Sequence, residues 1–415
     1  MVALAYNNLA AVALFFSFMG AVSATDHPNL RSVDPDTFVN ASATVDMTDG
    51  DPSFRTLEQF LDSSQGRRLQ ARGHPLFDQL LQLENYIPPQ GDMNTLMIRV
   101  SVRGKEPTTQ TKAQLEQTYF NDNLSMKTQL TACSMGKLKV KAFDGRINNR
   151  RITNGVYETN LDTEETDVYL VVGELYYHLE QELGADWKAK SGIDAVMYCV
   201  PARGNGAFAV ASHSVFVGSS CTRMTVHMHE LGHSLTGGHS SKFSATGAWL
   251  QGADRSDFLS NNLNYPGAGS SAIQRCYNPG ASWRIGWYND QLRDLDVTSP
   301  SFSKWEGAIV GIADYKRRNL PVIVRLIAPT SKSHYFVGFN RAIGVNQHSN
   351  EARDLVTVHK MREFFINDSF LMASLAHNDE YIIEDFDDRG IDLKVQFYRR
   401  RTNKAWRAFV RVTKL

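Results

Sequence analysis

From Met93 onward the apolar positions change period along the chain, and those periods lay out its elements. "MNTLMIRVSV" is a near-continuous apolar run that predicts a buried strand. "TKAQLEQTYFNDNLSMKTQLTACS" carries helical spacing, and "GKLKVKAF" alternates as a strand does. This is a βαβ start. Beyond it, "DVYLVV" predicts a strand, "YYHLEQELGADWKAKSG" a helix stopped by glycine, "IDAVMYCV" a strand and "AFAVASHSVFVG" an edge strand. Such alternation predicts a twisted mixed sheet with helices packed against it.

After Pro300 the helical spacing disappears. Short alternating runs take over: "LPVIVRLIA", "HYFVGFN", "LVTVHKM", "EYIIEDF", "IDLKVQFY" and "WRAFVRVTKL", with polar turns between them. Six or more short strands predict a β-sandwich. The expected class is therefore α+β, with a helix-containing sheet unit over 91–300 and a β-sandwich unit over 301–415. No internal repeat or low-complexity tract interrupts either.

The first residues follow a different logic. An apolar run from Leu9 to Val22, followed by the small residues Val22, Ser23 and Ala24, predicts a signal peptide over 1–24, cut after Ala24. The run is shorter than the roughly 20 residues needed to span a bilayer, although an uncleaved anchor is the competing reading. Residues 25–90 are polar and weakly periodic, and the dibasic pair Arg67 and Arg68 offers a processing site, so this stretch is expected to be a propeptide. The mature protein is then expected to be secreted, extracellular and without a stable membrane anchor.

Composition narrows the partners. The chain has 415 residues, 42% hydrophobic and 21% charged, and its 44 basic and 44 acidic side chains cancel. No net field draws it to nucleic acid. The basic runs "YKRR" and "YRRRTNK" are expected to be solvated, and acidic "EDFDDRG" reads equally as a calcium site or a polar hairpin turn. An even count of four cysteines, Cys133, Cys199, Cys221 and Cys276, favours two disulfides in an oxidising compartment, with three pairings open. Sequons at Asn40, Asn123 and Asn367 suit the same compartment.

The chemistry concentrates in "HELGHSLTGGHS", residues 229–240. A helix from Arg223 to Leu235 places His229 and His233 one turn apart on one face, where both imidazoles can meet one zinc ion at about 2.0–2.1 Å. Glu230 beside them is placed to take a proton from water rather than to bind metal. A glycine turn then reverses the chain and lets His239 supply a third nitrogen. Three neutral nitrogens leave a position open, which marks a catalytic rather than a structural site. Chance gives a bare HExxH in roughly one such chain in fifty, and a third histidine at a fixed place makes it about thirty times rarer. His227 points about 200° around the helix from His229 and is expected to be solvated or packed. His213, on the expected edge strand, is expected to be exposed.

With that third histidine, the stretch resembles the metzincin zinc peptidases, HExxHxxGxxH. The chain is similar in particular to the gametolysin family. The resemblance runs over about residues 92–415, through "ACSMGKL", "HELGHSLTGGHS", "CYNPGASWRIGWY", "HYFVGFNRAIG" and "DLVTVHK". It implies a metzincin-like fold for the first unit and a secreted zinc endopeptidase made as a zymogen. It also implies action on proteins or glycoproteins of extracellular matrix or cell wall, with His229, His233 and His239 as ligands and Glu230 as general base. Two positions depart from the family. Thr236 stands where metzincins carry glycine, with Gly237 and Gly238 behind it, and Leu259 stands where the methionine beneath the zinc is expected. Those departures motivate a rival reading, a catalytically silent matrix or carbohydrate-binding protein whose zinc site only stabilises the fold. Zinc hydrolysis of a non-peptide substrate is a third reading, with no feature in its favour.

Overall fold

Strand β1 (Gly91–Val102) is the axis of the first sheet: its apolar run leaves Leu96, Met97, Ile98 and Val100 with no exposed surface. A strand buried on both faces suits the middle of a parallel sheet. Three strands pair with it in parallel: β2 (Leu138–Ala142) along its first half, β5 (Val156–Leu161) along its second, and β6 (Ala195–Val200) on the other side. Before β5 the chain makes a small hairpin of β3 (Gly145–Ile147) and β4 (Arg150–Ile152). The sheet closes with β7 (Gly206–Val210) and β8 (His213–Val217), in the order β2-β1-β6-β8-β7. The stretch expected to be one edge strand is thus a hairpin. Antiparallel β7 takes the edge, and β8 lies inside it, parallel to β6.

This computed structural model describes residues 90–415 apart from 104–109, 166–167, 202–205, 211, 262–273, 318, 363–367 and 401–405. The expected leader, Arg67 and Arg68, the propeptide up to its last residue, and Asn40 and Asn367 lie outside the described residues. Asn123 is exposed beside a turn. Among the described residues no helix is long and apolar enough to cross a membrane.

Helices pack on the first sheet. The helical stretch after residue 110 splits into α1 (Lys112–Glu116), which continues as a π turn, and α2 (Met126–Cys133). Each opens with a capping box, at Thr111 with Gln114 and at Ser125 with Thr128. The expected strand "DVYLVV" is instead the first turn and a half of helix α3 (Val168–Leu183). Val171, Val172, Leu175, Leu179 and Leu183 are all buried, a spacing that continues the helical stripe through the apolar run. A short apolar run has no period of its own, so the longer pattern downstream decides it. A single turn, α4 (Trp187–Lys190), follows.

The later strands build two further sheets. One has seven strands: β9 (Ser240–Phe243), β10 (Trp249–Leu250), β11 (Leu292–Leu295), β13 (Ile323–Leu326), β14 (Ser333–Phe339), β15 (Val356–Arg362) and β16 (Ser369–Leu375), in the order β10-β9-β16-β15-β14-β13-β11. The other has four antiparallel strands: β12 (Lys304–Val310), β17 (Glu380–Ile383), β18 (Leu393–Arg400) and β19 (Arg407–Lys414). Val324, Leu326, Val337 and Val356 of the first meet Leu393, Val395, Val410 and Val412 of the second in one core, which makes a sandwich. The opposite face of the seven-stranded sheet carries Ile323, Phe336 and Met361, which join the core of the helical part. The whole is α+β, and strands from before residue 300 are woven into the sandwich.

Two disulfides form, Cys133–Cys276 and Cys199–Cys221. They close sequence separations of 143 and 22 residues, which on chain entropy alone stabilise the fold by about 5 and about 3.4 kcal/mol.

Candidate metal centre

Helix α5 (Met224–Thr236) carries "MTVHMHELGHSLT", and every residue of it is buried. A 3-10 turn, Gly218–Thr222, leads into it, and Cys221 within that turn is bonded to Cys199 on β6. The helix start is thereby fixed to the central sheet. His229 and His233 face the same way. The Nδ1 of His229 donates to the Phe258 carbonyl at 2.8 Å, and the Nδ1 of His233 donates to the Gly237 carbonyl at 2.9 Å. With their protons on Nδ1, both neutral rings present a bare Nε2 lone pair. Those two Nε2 atoms stand 3.0 Å apart. Two lone pairs that close repel unless a cation lies between them, and a divalent ion fits this donor set. His239 completes it: the ligand atoms of all three histidines lie within 4.8 Å of one another. The residues present could therefore hold a metal ion.

The turn to His239 resolves one departure in the sequence. Thr236 remains helical and back-bonds its hydroxyl to the Gly232 carbonyl at 3.1 Å. Gly237, with φ +89° and ψ −70°, makes the reversal one residue later. Leu259 lies under the helix, where a Cβ added to Gly232 would come within 2.9 Å of its Cδ2 and of the Tyr277 ring. The segment 258–259 thus serves both halves of the site. Phe258 orients His229, and the Leu259 carbonyl accepts the amide of Ser240, the residue after His239.

Burial sets the charges. It lowers His229 to about 4 and His239 to about 3, with His229 adding to the effect at His239, and together with the neighbouring His239 and His229 it takes His233 well below its ordinary value. All three are neutral near pH 7, as metal ligation requires. Burial also pushes Glu230 up to about 8. Beneath the site, Asp257 accepts the amides of Leu259 and Asn278, both at 2.6 Å, and burial with the nearby Asp254 raises it to about 6. Asp254 contacts the Nε2 of His359 at 3.1 Å. Arg275, almost wholly buried, lies over the Phe258 ring at 5.2 Å and balances this acidic pair.

Other expectations separate from the site. His227 is buried, stacked on Tyr119 at 4.0 Å, with its Nε2 on the Ser220 carbonyl; it is a packing residue. His213 is buried rather than exposed, because β8 is an interior strand, and its Nδ1 hydrogen-bonds with the Tyr198 hydroxyl at 2.8 Å. In "EDFDDRG" the carboxylate of Asp387 accepts the amides of Thr330 and Ser331 and pairs with Arg389 at 3.2 Å, which is a turn's use of it. Sequence reasoning passed over Phe258, Gln251, Asp254, Asp257, His359 and Asp368. Gln251 meets the His239 ring through its side-chain amide, the others act through backbone groups or from far along the chain, and the local pattern around each carries no signal.

No family model and no curated protein matches the chain. Among solved structures it is similar to wild-type OgpA from Akkermansia muciniphila, at 11% identity over 75% of this chain and 91% of that one, with a TM-score of 0.29. A superposition that loose carries no argument about fold or chemistry.

Proposed function

We propose that this protein is a secreted zinc-dependent endopeptidase acting on protein or glycoprotein substrates. The observation that carries the reading is the pair of bare Nε2 atoms at 3.0 Å, with a third imidazole close by and a buried carboxyl next to the first. His229, His233 and His239 would hold the ion. When bound, zinc supplies Lewis acidity, polarising a carbonyl and lowering the pKa of water to about 7.

The chain's own groups do the rest. The carbonyls of Phe258 and Gly237 fix the tautomers of two rings, so that no proton competes for the ligand position. Glu230 holds a proton tightly because it is buried, and a nearby dication pulls the other way by favouring the carboxylate. A carboxyl poised between these influences can accept a proton from attacking water and return it to the departing amine. A site that served only to stabilise the fold would need no such residue, which sets the silent-scaffold reading second.

Cleavage of casein or gelatin by the mature protein, with and without a chelator and beside Glu230→Gln, tests this. The wild type should cleave and lose activity to the chelator. The variant should bind one zinc yet be slower by a factor of about 10² to 10⁴. A wild type that binds zinc and cleaves no protein, with an indistinguishable variant, refutes the peptidase reading.

A further inference from the structure

We propose that Asp368 is a positioning residue for the third metal ligand, so that strands after residue 300 complete the centre instead of forming an appended module. The proposal rests on reading the three histidines as a zinc site. His229 and His233 are aimed by their rings, each bonded through Nδ1 to a backbone carbonyl of the helix-and-floor segment. His239 follows two glycines, and its Nδ1 lies 3.3 Å from the Gln251 amide nitrogen, a longer contact than the Nδ1 bonds of the other two rings. Its main chain is anchored as well.

That main chain is held from 129 residues away. One carboxylate oxygen of Asp368 accepts the His239 amide at 2.8 Å, and the other accepts the Ser241 hydroxyl at 2.5 Å. The next residue, Ser369, donates its amide to the His239 carbonyl at 2.9 Å. From there β16 runs parallel to β9, with Ser369 opposite Ser240 and Phe370 opposite Ser241. His239 is therefore gripped on both its amide and its carbonyl by residues 368 and 369, at the point where β9 enters the seven-stranded sheet. The buried contact of His359 on β15 with Asp254 braces the same floor from a second strand. Without Asp368 the His239 amide loses a charge-assisted bond, and the loop bearing the third imidazole is free to drift. Outer partners of this kind are worth 10- to 100-fold in metal affinity.

The test uses the full mature chain and two readouts, zinc affinity by competition with a chromophoric chelator and the visible spectrum of the cobalt(II) form. Asp368→Ala should bind zinc about 10- to 100-fold more weakly and show altered cobalt bands, because one nitrogen is no longer fixed. Asp368→Asn keeps an oxygen acceptor for the His239 amide and should restore affinity to within about threefold. Ser241→Ala removes the other bond of Asp368 and should also stay within about threefold, which a merely structural role for the carboxylate would not allow. Where the alanine variant does not fold, Asp368→Thr takes its place, with an intermediate loss expected. Zinc affinity within twofold of wild type and an unchanged cobalt spectrum in Asp368→Ala, or equal losses in the alanine and asparagine variants, overturn the proposal while leaving the zinc reading intact. A wild type that binds no zinc removes both.

Discussion

The carbonyl of Gly237 accepts the Nδ1 proton of His233 at 2.9 Å from a backbone held at φ +89°, ψ −70°. Only glycine reaches that conformation without strain. Gly237→Ala should therefore cost about 1–3 kcal/mol of stability and, by moving the carbonyl, release the ring of His233. Chemical denaturation together with a zinc titration checks this. The expected outcome is a lower midpoint and weaker zinc binding in the same variant.

Leu259 fills the floor against Gly232 and Tyr277, and its backbone is fixed independently by Asp257 and Ser240. Leu259→Met conserves volume, so it should cost less than about 1.5 kcal/mol and leave zinc affinity unchanged. Gly232→Ala should behave in the opposite way. The added methyl has no room, and overpacking should cost about 1–3 kcal/mol, measured as the shift in denaturation midpoint.

His213 gives a pH dependence that can be read away from the metal. Burial, with Lys188 nearby, holds its pKa well below 6.5 in the folded state. The unfolded chain takes up a proton near pH 6.5 that the folded chain refuses. The contribution of this group is thus fully present above that value and is lost as pH falls below it, by about 1.4 kcal/mol per pH unit. His213→Gln, whose amide can donate to or accept from the Tyr198 hydroxyl, should flatten the fall in stability between pH 6.5 and lower values by about one proton. Denaturant midpoints measured across that range show whether the two slopes differ.

The site was legible where its chemistry is local. His229, Glu230, His233 and His239 fall within eleven positions, and helix geometry with a glycine turn brings the three imidazoles together. The supports were not legible, because a carbonyl such as that of Phe258 leaves no mark on residue type and Asp368 lies 129 residues along the chain from His239. β13, β14, β15, β17, β18 and β19 were readable from their alternation, but β12 and β16 were not picked out, nor was the union with β9 and β11: strand partners are chosen by tertiary packing. The apolar run at Val168–Val172 misled for a related reason. Its helical stripe becomes visible only with Leu175, Leu179 and Leu183 included.

X-ray absorption at the zinc edge of the loaded protein reads the central arrangement directly. Three imidazole nitrogens at about 2.0–2.1 Å with no sulfur in the shell is the expected result, and substitution of His239 should remove one of them. A protein that retains no zinc, or a shell with fewer than three imidazoles that is unaffected by the loss of His239, would contradict the account.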